Sequence, residues 1–302
     1  MKRRVKIVEV GPRDGFQSIK EPIPVQKKLD VIRGLLEAGI QKVQITSFVS
    51  PKAIPQMQDA EIVAKTILEE YPDKELFALV PNFIGAQKAV EAGLKELTPV
   101  ISLSQSHNLA NVKRTHEQSY EEIRKIIETF SDRKLTVDLA TVFGCPFEGE
   151  IPETQLYWMI ETLASMGIRS FTLCDTIGIA HPSQVQRMIA NVKARYPQFQ
   201  WNIHIHDTRN MGMINSYAAI QAGVDEVQTA VGGLGGCPFA PGATGNTATE
   251  DLVYMLEREG YETGIHFERL LETARTLRAE VNGNYSGHQI MISKQPCFVP
   301  QE

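Results

Sequence analysis

Four short stretches of this chain share one pattern. They read "EAGIQKVQI" from Glu37, "EAGLKELTP" from Glu91, "SMGIRSFTL" from Ser165 and "QAGVDEVQT" from Gln221. In each, a helix-like segment runs into a glycine, an aliphatic residue follows, and a strand-like run begins. A glycine there suits a helix C-terminus closed in the left-handed conformation. The run behind it suits a buried strand. The glycines are Gly39, Gly93, Gly167 and Gly223, separated by 54, 74 and 56 residues. Each gap has room for two strand–helix units, so the pattern demands a regularly alternating α/β chain.

Strand candidates fill the gaps. They are "VKIVEV" from Val5, "VQITS" after Gly39, "ELFALV" from Glu75, "LTPVISL" after Gly93 and "KLTVDLATV" from Lys134. "RSFTLCD" follows Gly167, "FQWNIHIH" ends at His206 and "DEVQTAV" follows Gly223. Helix-like stretches separate them. "SYEEIRKIIETF" (119–130), for example, places Ile123, Ile126, Ile127 and Phe130 at helical spacing. Eight alternating units predict an α/β fold of the (β/α)8 TIM-barrel type. The alternative, an open doubly wound sheet, is weakened because no GxGxxG follows the first strand. The expected organisation is one catalytic domain over 1–302. The barrel fills about 1–265, and a C-terminal helical extension over about 266–302 ends in a segment holding Pro296 and Pro300.

Composition narrows the function classes. The chain is 42% hydrophobic and 22% charged with net charge −5, which fits a globular protein with a sizeable core and disfavours nucleic acid as a partner. The basic "MKRR" start leads into "VKIVEV", too short and too charged for a signal-peptide core. No apolar run approaches a membrane span. Cys145, Cys174, Cys237 and Cys297 match neither a zinc ribbon nor a CxxC pair. The expectation is a cytoplasmic protein with reduced thiols and no membrane partner.

A barrel carries its chemistry at the C-terminal ends of its strands, and polar residues gather there. Arg13, Asp14 and Gln17 follow the first strand, Thr46 and Ser47 end the second, and Asp175 ends the sixth. His204 and His206 close the seventh. Two apart on a strand, they face the same side, with Ile205 towards the helices. Such a pair is half of a metal site, or else two hydrogen-bonded histidines. Asp14 could complete the site or serve as a turn former. Asn246 sits in "TGN", which is also good turn chemistry. If His204, His206, Asp14 and Asn246 do hold a cation, two nitrogens and two oxygens favour Mg²⁺ or Mn²⁺, although imidazole also suits Zn²⁺ or Co²⁺. The eighth strand leads into "GGLGGCPFAPGATGN", where Cys237 stands in a loop with six glycines. A thiol in so permissive a loop is a poor core residue, unlike Cys174, which lies inside a strand.

The segments "VEVGPRDGFQ", "TSFVSPKAIPQM", "FGCPFEG", "DTIG", "HIHDTRNMG" and "GGLGGCPFAPGATGNTATEDLVYML" together resemble the 3-hydroxy-3-methylglutaryl-CoA lyase family, in order from about Val5 to Leu256. The resemblance implies cleavage of that acyl-CoA to acetyl-CoA and acetoacetate with a divalent metal, Mg²⁺ or Mn²⁺. It implies Asp14, His204, His206 and Asn246 as metal ligands. Cys237, Arg13, Asp14 and His204 would be the catalytic groups, and Arg13, Gln17, Ser47 and Asp175 the substrate contacts. It goes with a homo-oligomer, dimer or tetramer. One departure stands out: Gln44, in "KVQITSF", occupies a place where the family carries an acidic residue, and an amide cannot act as a base.

Overall fold

The computed structural model describes residues 3–236 and 245–292. Eight parallel strands occupy the predicted places. They are β1 (Lys6–Glu9), β2 (Lys42–Ser47), β3 (Glu75–Leu79), β4 (Glu96–Thr98 and Val100–Ser102), β5 (Lys134–Leu135 and Val137–Ala140), β6 (Ser170–Asp175), β7 (Gln200–Ile205) and β8 (Glu226–Thr229). β4 breaks at Pro99, which has no N–H to offer a neighbour, and β5 breaks at Thr136. Both pieces of β4 pair with β5, through Glu96↔Lys134 and Val100↔Asp138. Backbone bonds from Thr136 to Leu97 and from Asp138 to Pro99 bridge the breaks. β1 pairs with β8 (Lys6↔Glu226), so the sheet closes on itself as a (β/α)8 barrel.

The helices are α1 (Val25–Glu37), α2 (Ala60–Glu70), α3 (Phe83–Glu91), α4 (Gln105–Val112), α5 (His116–Thr129), α6 (Glu153–Ser165), α7 (Pro182–Arg195), α8 (Gly212–Gln221), α9 (Thr249–Arg258) and α10 (Phe267–Glu280). α5 starts where Thr115 and Gln118 form a reciprocal capping box, and it buries Tyr120, Ile123 and Ile126. The four junction glycines all have positive φ, between 85° and 105°. Each closes the same pair of bonds: Gly39 N–H to Leu36 and Ile40 N–H to Leu35 at α1, with counterparts at α3, α6 and α8. These are the helices that follow odd-numbered strands. After β2, β4 and β6 the helix instead ends on an aromatic residue, Tyr71, Phe130 or Tyr196, whose N–H bonds four residues back. This alternation explains why the glycine pattern recurs every two units. α9 ends on Gly260 (φ 81°), a further glycine junction.

The main core lies between sheet and helices, with Trp201 stacked on Phe171 at 5.3 Å. The barrel interior is different. It holds a separate small cluster of Val8, Val10 and Phe77. The N-terminal end of the interior is plugged by charge: Lys42 lies 2.8 Å from Glu96 and 2.9 Å from Glu226, and Lys6 lies 3.0 Å from Glu226. α10 packs against α1 and α9, and the chain beyond it returns to the opposite, C-terminal rim.

Removing Lys42 would leave Glu96 and Glu226 buried without their shared cation. Lys42→Ala is therefore expected to cost about 3–5 kcal/mol in denaturant unfolding. Lys65→Ala, which removes the exposed pair with Glu61, should leave the unfolding curve unchanged.

Candidate active site

The residues Gly11–Gly15 after β1 form one wide helical turn of the π type. The N–H groups of Arg13 and Asp14 both bond to Val10 O, at 3.0 and 2.7 Å. Turns of this type recur at functional positions, and this one aims both side chains across the barrel mouth. Asp14 Oδ2 lies 3.6 Å from His206 Nε2 and 3.9 Å from His204 Nε2. The two imidazole centroids are 4.9 Å apart, while Ile205 between them is buried in the helix–sheet core. Asp14, His204 and His206 each present a ligand atom within 4.8 Å of the others. A backbone bridge between His206 and Asn246 brings the far side of the glycine loop to the same place. Asn246 Nδ2 donates to Asp14 Oδ2 at 2.9 Å and to Leu234 O at 3.1 Å. Its buried Oδ1 has no partner among the described residues.

The protonation states suit cation binding. Burial alone would raise the Asp14 carboxyl, but the Arg13 charge and a hydrogen bond from His206 hold it well below the usual carboxylate range. Burial, reinforced by His206, pushes His204 down to about 3. An ionised carboxylate beside a neutral imidazole is the state a divalent metal requires of its ligands. The unpartnered amide oxygen of Asn246 is the kind of buried acceptor a cation satisfies.

The site lines a cavity of about 650 Å³ at the C-terminal mouth, into which Arg13, Asp14, Gln17, Ser47, His204 and His206 all project. Arg13 is braced from two sides: Nε donates to Gln44 Oε1 and Nη1 to Asp14 Oδ1. Gln17 Nε2 donates to Asp14 Oδ1 at 2.9 Å. Asp175, expected as a substrate contact, does not line this cavity. Its two oxygens instead accept the N–H groups of Ile179 and Ala180, at 2.9 and 3.1 Å. Cys237 lies outside the described residues.

Three groups escaped the sequence reading. Asp138 on β5 lines the cavity and faces inward by the strand's alternation with Thr136 and Ala140. The only signal for it was one charge inside an otherwise apolar run. Glu9 is fully buried and accepts from Gly11 N, Val231 N and Thr249 Oγ1, at 2.7, 2.9 and 2.6 Å. It thus ties the ends of β1, β8 and α9 together. Glu250 accepts from Gly232 N at 2.9 Å. Both anchor the base of the glycine loop, whose walls are packed too closely for side chains. A Cβ at Gly233 would lie 2.0 Å from Ser286 Oγ, and one at Gly245 would lie 2.2 Å from Gly233 O. Ser286 in turn donates to Asn246 O at 2.8 Å, and Gly287 N bonds Gly232 O at 3.0 Å. The segment after α10 therefore buttresses the loop that carries Asn246.

Burial pushes Glu250 from 4.5 up to about 8. The folded state holds this proton more tightly than the unfolded chain. Its contribution to stability is complete below about pH 4.5 and is lost as pH rises through about 8. Glu250→Gln mimics the protonated acid, so its melting temperature should gain on the wild type as pH is raised from 5 to 8.5. Parallel curves across that range would mean that Glu250 is not protonated in the fold.

The HMGL-like family model matches residues 4–277. Hydroxymethylglutaryl-CoA lyase YngG of Bacillus subtilis is 38% identical over 97% of this chain and 98% of its own length. The mitochondrial hydroxymethylglutaryl-CoA lyase of Homo sapiens is 38% identical over 93% of this chain and 86% of its own. The solved structure of an HMG-CoA lyase from Acinetobacter baumannii, in complex with coenzyme A and 3-methylmalate, matches with a TM-score of 0.92 and 39% identity. It covers 99% of this chain and 98% of that one.

Proposed function

The chain belongs to the HMGL-like family and is a carbon–carbon lyase, and we propose that it cleaves 3-hydroxy-3-methylglutaryl-CoA to acetyl-CoA and acetoacetate through the residues assembled at the barrel mouth. The observation that carries this reading is the meeting of Asp14, His204 and His206 in a chain similar to hydroxymethylglutaryl-CoA lyases over nearly its whole length.

The reaction is a retro-Claisen cleavage. The tertiary alcohol loses its proton, the bond between C2 and C3 breaks, and its electron pair leaves as a thioester enolate. In the proposed arrangement Asp14, His204, His206 and Asn246 would hold a divalent cation, Mg²⁺ or Mn²⁺. When bound, it supplies Lewis acidity towards the substrate oxygens and lowers the alcohol's pKa. Arg13 provides a fixed positive charge for the enolate oxygen. Gln44 and Asp14 hold its Nε and Nη1, leaving Nη2 without a partner among the described residues. A permanently ionised, pre-oriented guanidinium stabilises developing charge without reorganising. Gln17 and Ser47, on the cavity wall, contact the substrate. Cys237 gives a proton to the enolate carbon. Burial keeps His204 neutral, the state in which an imidazole binds a cation. A cytoplasmic homo-oligomer, dimer or tetramer, belongs to the same proposal. No described helix is long and apolar enough to cross a membrane.

Purified protein given 3-hydroxy-3-methylglutaryl-CoA should release acetoacetate with Mg²⁺ or Mn²⁺ and lose that activity on chelation. Cleavage of other 3-hydroxy-acyl-CoA thioesters, with this one untouched, would overturn the substrate assignment. Arg13→Lys keeps the charge but loses the planar fork between Gln44 and Asp14. Turnover should fall by roughly 10²-fold or more, the scale of losing a preorganised donor to a developing oxyanion. Mn²⁺ affinity by calorimetry should change little, and wild-type turnover in the variant would make Arg13 structural.

A further inference from the structure

The cleavage needs a group to receive the alcohol proton, and the groups assigned so far do not provide one. In the proposed arrangement Asp14 and the two histidines are occupied by the cation. Arg13 is a permanent cation and cannot accept a proton. Gln44 is an amide. Asp175 does not line the cavity, and its oxygens accept two backbone N–H groups. The Cys174 thiol lines the cavity, but burial first, and then the Asp138 charge, keep it protonated. His107 also lines the cavity, with its Nδ1 2.7 Å from Ser102 Oγ.

One lining carboxyl is uncommitted. Asp138 sits on β5, level with Thr172 of β6 and Val100 of β4 in the strand register. It is buried, only 4% exposed, and borders the same cavity as Arg13 and His204. Thr172 hydrogen-bonds it, yet Oδ1 has no partner among the described residues. A buried carboxylate oxygen without a donor is expensive unless something outside the fold supplies one. A substrate hydroxyl entering the cavity is such a donor.

We propose that Asp138 is the catalytic base that takes the C3-hydroxyl proton of the substrate. The proposal rests on the lyase reading above. The hydroxyl proton passes to Asp138, and the O–H pair becomes the second bond of the acetoacetate carbonyl. The C2–C3 pair becomes the acetyl-CoA enolate, which is protonated at carbon by the Cys237 thiol. Asp138 then holds one proton and the thiolate lacks one, so a proton passed from the first to the second through solvent restores both. No oxidant or co-reactant is consumed. The surroundings suit a base. Burial raises the Asp138 carboxyl to about 6, against the lowering effects of Arg13, Thr172 and Lys42 and with a further upward push from Asp14. A base of this strength is still ionised at neutral pH and is stronger than an ordinary aspartate.

Asp138→Asn separates this role from a structural one. The amide keeps the shape and removes the buried charge. A catalytic base predicts that turnover falls by about 10²–10⁴-fold while KM and Mn²⁺ affinity stay within a few-fold. The melting temperature at pH 7.5 should hold or rise, because a desolvated charge has been removed. Turnover within about threefold of wild type overturns the proposal. So does a variant that loses thermal stability and Mn²⁺ affinity together, since that marks Asp138 as part of the framework. The wild-type assay keeps the two levels apart. Acetoacetate release by wild type with an equally active Asn variant refutes Asp138 alone, whereas a wild type that releases none refutes the lyase reading and this inference with it.

Discussion

Backbone hydrogen bonding around a closed ring of strands is the constraint on which the molecule depends. Closure between β4 and β5 survives a proline and an irregular residue, because both pieces of each strand keep their partner. Helical crossovers keep all eight strands in one direction, and closure brings their C-terminal ends to one rim. Residues as far apart as Asp14 and Asn246 thereby come within hydrogen-bond distance. The site needs that proximity and nothing local in the chain provides it.

Closure also divides the side chains. Alternation sends every second residue inward, and in this barrel the inward set is largely polar. At the N-terminal end the polar groups are matched ion pairs centred on Lys42, which plug the interior. At the C-terminal end they include atoms without partners among the described residues, such as Asn246 Oδ1 and Asp138 Oδ1. The contrast is physical. A plug must satisfy its charges internally, whereas a site must keep hydrogen-bonding capacity for what it binds. Glu9 and Glu250, raised to about 7 and about 8 by burial, belong to a third group that fastens the loops over the rim.

The glycine loop also takes its meaning from what surrounds it. At its described base, glycine is required less for motion than for proximity, because backbone from β8, from the stretch leading into α9 and from the segment after α10 meets there without space for a Cβ. The C-terminal extension is thus part of the site's support, with Ser286 bonded to the Asn246 carbonyl.

The sequence by itself determined the alternation, the eight strands and the side to which His204 and His206 turn. These follow from local rules: a glycine where a helix must close left-handed, and a two-residue period along strands. Motif order pointed to Asp14, Arg13 and Asn246 as members of one site. Only the tertiary structure decided which polar groups would be used up by the fold and which would stay available. Asp175 is legible as an acid at a strand end, but whether its oxygens meet substrate or the N–H groups of Ile179 and Ala180 depends on the path of the next loop. Asp138 looks like a stray charge in an apolar strand until closure sets it against a cavity shared with Arg13 and His204. Partnership between residues remote in sequence is a property of the closed ring, so no local pattern encodes it.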